Sequence, residues 1–146
     1  MSNSILPESI DFSKIVDSIK KALGINDTYG QPVVIWEKLK EWAKKAGRTA
    51  TKPALLLYFT MKDGDIPTSD KALIYACLAY AVLPIKVFRM IPFGDLIGKA
   101  LSIGVVIQRV RRYITPEIEA STEELLEKWF GAQPGDVVEE VLLIED

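Results

Sequence analysis

The sequence predicts an all-α fold: a compact bundle of about five or six helices around a central apolar helical hairpin. Three observations predict it. Residues 69–112 hold two strongly apolar runs joined by a kinked basic connector, 84–94, and the first run carries no charge from 72 to 85. The flanking segments carry apolar residues at a spacing of three and four, the mark of helices that bury one face. Helix caps and breakers fall where such helices would end, at Gly24, Gly47, Thr115-Pro116 and Gly131.

In chain order, residues 1–10 read as an irregular start. Phe12, Ile15, Val16, Ile19 and Leu23 form one stripe, so a helix is expected over 12–23, stopped by Gly24. Asn26, Asp27 and Gly30 mark a loop. Pro32 suits a first helical position, because its missing N–H costs nothing there. A second helix is therefore expected from Pro32 to Ala46, ending at Gly47. Trp36, Leu39, Ala43 and Ala46, beside Ile35 and Trp42, form its apolar face, and Glu41–Lys45 is its attractive i,i+4 pair. The two tryptophans read as core anchors rather than as a binding surface.

Residues 47–52 are basic and polar and read as a linker. Pro53 then opens ALLLYFTMK, expected to be a short buried helix. DGDIPT, 63–68, is a turn. Its Asp63 and Asp65 do not make a calcium loop, because no glycine stands at the sixth position and no glutamate at the twelfth. Ser69 is the expected cap of the central helix, 70–83, which is apolar all round and must be surrounded. Tyr75 and Tyr80 then need hydroxyl partners or the surface. Pro84 ends this helix. The next helix is expected to open near Asp95 and run to the cluster Arg109, Arg111 and Arg112, with Gly94, Gly98 and Ser102 as a ridge for close helix packing. Thr115-Pro116 starts the last helix, with Ile118, Leu125, Leu126, Trp129 and Phe130 inward. Residues 1–131 thus form a single expected domain. The acidic tail, 132–146, carries the apolar patch VLLI; its pattern leaves a free tail, a short helix and an added strand all open.

Composition excludes more chemistry than it suggests. The 146 residues carry a formal net charge of −2, with no histidine and one cysteine. Without histidine the commonest general acid–base group and metal ligand are missing. A single cysteine allows neither an intrachain disulfide nor the usual structural zinc site. Phosphate-cradling, dinucleotide and nucleophile-elbow motifs do not occur. We expect no catalytic residue, no bound metal and no cofactor. Residues 1–7 have neither a basic start nor a long apolar run, so no secretory leader is expected; the expected location is cytoplasmic, with membrane association as the alternative.

Charge is unevenly placed. Between 86 and 112 stand Lys86, Arg89, Lys99, Arg109, Arg111 and Arg112 against Asp95 alone, whereas from 117 onward Lys128 is the single base among acidic residues. Those six bases are the candidate contact surface, for an unidentified protein partner or an anionic membrane. The net acidity and the lack of a reader motif argue against nucleic acid. The charge-free run 72–85 is about 21 Å long as a helix, short of the roughly 20 residues that cross a bilayer. A buried helix pair is the expected reading, and a peripheral or hairpin membrane segment is the alternative.

The wording DGDIPTSDKALIYACLAYAVLPI, then a connector with Ile91-Pro92, then RRYITPEI, resembles the YkvA family, a small bacterial domain of unknown function. The resemblance covers residues 54–130 and implies an all-α fold; the expectation of a non-enzymatic interaction or structural module rests instead on the complete helical pattern and the lack of a catalytic constellation. The family's connector bears aspartates where this chain has Lys86 and Met90, and its later acidic pair falls near Gly98 and Lys99. No site is therefore carried over. Reversal of sign implies that Lys86, Arg89 and Lys99 face solvent and bind no divalent cation.

Overall fold

In the computed structural model, residues 11–83 and 101–131 are described; all are helix, turn or loop, with no strand among them. Five helices follow in order: α1 (Phe12–Leu23), α2 (Val33–Asp63), α3 (Thr68–Val82), α4 (Ile103–Val110) and α5 (Pro116–Phe130), with a single 3-10 turn, Arg111–Tyr113, between the last two. The all-α expectation holds.

α1 has the expected bounds. The Asp11 carboxylate accepts from the Ser13 N–H at 3.0 Å, satisfying one free first-turn donor. Ile15, Val16 and Ile19 are buried. The end is a left-handed glycine cap: Gly24 sits at φ 66°, and the Ile25 N–H donates back to the Lys20 carbonyl at 3.0 Å.

α2 departs from expectation. Helix continues through 48–52, the stretch that reads as a linker, and Pro53 lies inside it rather than opening it. Only Gly47 is non-helical, at φ 86° and ψ 170°. That one residue reverses the chain. The rings of Trp36 and Tyr58 are 4.6 Å apart, whereas a straight helix would separate these residues by about 33 Å. α2 is therefore a hairpin of two arms, 33–46 and 48–63. The polar linker reading failed because Arg48 and Thr51 face inward and are buried. The first arm starts at Val33, with Pro32 just outside it. Its ion pair is Glu37–Lys40 at 3.7 Å rather than Glu41–Lys45.

α3 is the centre. Every residue from Ala72 to Ala79 is buried, with α1, α2 and α4 packed around it. A helix apolar on all sides requires such a jacket. Ser69 is not its cap: the helix starts at Thr68 after Pro67, which supplies no side-chain hydrogen bond. From Ala72 to Ala79 the run expected to lie in protein or lipid is covered by protein, and among the described residues no helix is long and apolar enough to cross a membrane.

The second arm of the expected central hairpin is corrected at both ends. Ser102 is not mid-helix; its backbone is extended and its hydroxyl accepts from the Val105 N–H at 3.3 Å, so α4 begins at Ile103. After Val110 the chain tightens into the 3-10 turn instead of continuing to Arg112. Asp95, Gly94 and Gly98, expected to start that helix, lie outside the described residues, as does the tail 132–146. α5 opens as expected: Thr115 accepts from the Ile118 N–H at 3.2 Å, Pro116 follows, and Glu117 and Glu119 stand in the first turn. It packs on α2, burying Ile118, Leu126 and Phe130, while Leu125 and Trp129 are half-buried. Trp129 stacks near Trp36 at 5.4 Å, so the tryptophan of the first arm anchors to core and to α5 together.

Candidate basic interface and its buried supports

The sequence nominates six bases, and the structure separates them. Lys86, Arg89 and Lys99, with their expected exposure, lie outside the described residues. Arg109 closes α4, where a cation suits the negative helix end. Its Nε lies 3.5 Å from Oδ1 of Asp70, in the first turn of α3. Arg109 is half exposed and Asp70 is nearly covered, so this contact ties α4 to α3. Arg111 and Arg112 stand exposed on the 3-10 turn. Arg112 donates to the Tyr113 hydroxyl at 3.2 Å, and its guanidinium lies 5.0 Å from that ring's centre. This cation–π stack holds the side chain in place without neutralising it. Among the described residues, no carboxylate pairs with Arg111 or Arg112.

Three buried charged residues escaped the sequence. Asp27 reads as a turn former, yet it is 3% exposed. Its carboxylate accepts from the N–H groups of Val34 at 2.9 Å and Ile35 at 3.0 Å, capping α2 from six residues before Val33. It also accepts from the Tyr75 hydroxyl at 3.0 Å. Tyr75 thereby finds the partner its burial demands. Burial, then the Asp27 charge, raises the Tyr75 phenol well above its ordinary value. The signal available in the sequence was an aspartate shortly before a proline-led helix with no capping side chain of its own.

Arg48, 7% exposed, donates to Glu123 of α5 at 3.1 Å. Lys52, one turn on, meets the other oxygen of Glu123 at 2.7 Å. Through both carboxylate oxygens Glu123 clamps α5 to the second arm of α2. Asp70 is the third residue of this kind. Cys77 is fully covered, and burial pushes its thiol up to about 12, which keeps it protonated and unreactive.

This arrangement can bind charge and hold helices together. Among the described residues, no cluster of histidine, cysteine, aspartate or glutamate could hold a metal ion. Asp27 and Tyr75 are engaged with each other and with backbone, in a covered position, and present no group to a substrate. The fold and these contacts define a class, an all-α bundle with a basic end on a short 3-10 turn. Compared with protein-family models, with curated proteins and with solved structures, the chain matches none.

Proposed function

We propose that this chain is a non-enzymatic interaction module of a bacterial cytoplasm, as its complete helical pattern without a catalytic constellation suggests, and that its basic end receives an acidic protein surface. The observation that carries the reading is the state of Arg111 and Arg112: both exposed and without an ion-paired carboxylate among the described residues, with Arg112 held against Tyr113. Lys86, Arg89 and Lys99 add the same sign nearby in sequence. A protein partner is favoured over a membrane because of where apolar surface lies. The exposed large apolar residues among those described are Leu23 and Val33, on α1 and α2. Neither adjoins the arginines in sequence, so among the described residues this end offers charge without an apolar wedge, and peripheral lipid anchoring generally needs both.

The test is cross-linking and mass spectrometry from cell extract, with wild type beside Arg111→Glu/Arg112→Glu. A partner with an acidic face, captured by the wild type and lost by the double variant, supports the reading. Equal recovery by both chains counts against it. Co-sedimentation with anionic vesicles at low salt, abolished by the same variant, would favour the membrane alternative instead.

A further inference from the structure

The hinge in α2 is a single residue. Gly47 adopts φ 86° and ψ 170°, a backbone that L side chains rarely enter. Everything before it, α1 and the arm 33–46, is joined to the rest of the chain only through this residue. The pivot on the far side is fixed, because Arg48 is clamped to Glu123 of α5. Movement at Gly47 therefore belongs to the N-terminal part.

A hydroxyl marks what the bend leaves undone. Thr60 and Thr122 are buried in helices, and each donates to the carbonyl four residues back, Leu56 at 2.7 Å and Ile118 at 2.9 Å. Thr51 is equally buried, yet its Oγ1 has no partner. The carbonyl four residues before it is that of Gly47, which the non-helical ψ turns out of the helical direction. Were Gly47 helical, that carbonyl would stand where Thr51 needs it, and helix would run on through 33–63 with one ladder bond missing, at Pro53, which has no N–H.

We propose that Gly47 is a domain-swap hinge and that the partner it serves is a second copy of this chain. Opening turns α2 into one continuous helix. The surface this uncovers is strongly apolar, with Ile35, Leu39 and Trp36 on one side and Tyr58 and Leu55 on the other. An open monomer cannot leave such a surface in water. A second open copy restores each contact in kind, including the bond from Tyr75 to Asp27, now made between chains. Since the exchanged contacts are the same, the balance between monomer and dimer rests on the hinge and on concentration.

Gly47→Ala tests this in the full-length chain. A Cβ at Gly47 meets nothing within 4 Å, so the substitution acts on backbone conformation rather than by collision. After unfolding and refolding at matched concentrations, light scattering should show the dimer fraction of Gly47→Ala raised about tenfold over wild type. Chains carrying two different tags should form mixed dimers only when refolded together. A flexible four-residue insertion after Gly47 should return the variant to monomer. Thr51→Val, which removes the unpartnered hydroxyl, should lower the wild-type dimer fraction. A Gly47→Ala chain that folds and stays monomeric at every concentration overturns the proposal. So does a dimer that survives the insertion, since that would be a surface contact. If Gly47→Ala does not fold, concentrated refolding of wild type and Thr51→Val decides: no dimer, or equal dimer from both, overturns the proposal.

Discussion

The phenol of Tyr75 donates to the carboxylate of Asp27 at 3.0 Å, linking the buried face of α3 to the start of α2 across 48 positions of chain. The same carboxylate holds two backbone N–H groups, so one side chain caps a helix and satisfies a core hydroxyl.

Asp27→Ala should cost about 2–4 kcal/mol in urea unfolding, since it strands two helix donors and a buried phenol. Tyr75→Phe should cost about 1–2 kcal/mol. The double variant should cost less than the sum, because removing the phenol removes one stranded group. Additive costs would mean that the two residues do not act together.

Glu123→Gln should destabilise by about 1–3 kcal/mol, because Arg48 is left as a buried cation without its counter-charge. The figure is held down by the exposure of Glu123, 38% on its side chain. Lys52→Gln, at an exposed partner, should change stability by less than about 1 kcal/mol. Pairing Glu123→Gln with Arg48→Met should recover much of the loss, and thermal melts of the four chains check the order.

Alkali should unfold the protein early. Burial, then the charges of Asp63 and Asp27, pushes the Tyr58 phenol up to about 12 from an ordinary 10.0. A raised folded value means that the folded chain keeps a proton that the unfolded chain releases. The contribution is whole below about pH 10 and is lost as pH rises through about 12. Cys77 acts in the same sense from its ordinary 9.0 upward. The urea midpoint should therefore fall between about pH 9 and about pH 12, and Tyr58→Phe should flatten the fall above about pH 10. A midpoint unchanged over that range contradicts the assignment.

Cys77 should be silent to a thiol reagent in the native protein and react fully in denaturant. Its native rate should follow global unfolding, since α3 is jacketed on every side. Fast native labelling would mean that α3 opens on its own.

Periodicity and caps made most elements legible. The stripe of α1, the uniform apolar run of α3 and the Thr115-Pro116 start of α5 each state a local rule that tertiary packing had no reason to override. The boundaries that were misread had different causes. Residues 48–52 are polar, and polarity reads as linker, yet Arg48 is polar because it meets Glu123. Ser69 and Ser102 are both capping types; Ser102 caps and Ser69 does not, because Pro67 and the turn before it set where α3 begins. Of the candidate surface, Arg109, Arg111 and Arg112 were legible as charge, but the division between a paired Arg109 and two unpaired neighbours was not.

By itself the sequence determined that this chain is helical, that its most apolar helix must be enclosed, and that the segment before residue 113 is basic. Those properties follow from composition and spacing within one stretch, where each residue's neighbours are known. Tertiary structure alone decided that Gly47 reverses α2 within one residue, that Asp27 serves both α2 and Tyr75, and that Arg48 and Glu123 face each other across 75 positions. Each is a meeting of groups far apart in the chain. A polar side chain looks the same in sequence whether water or a distant partner satisfies it, and only packing tells the two apart.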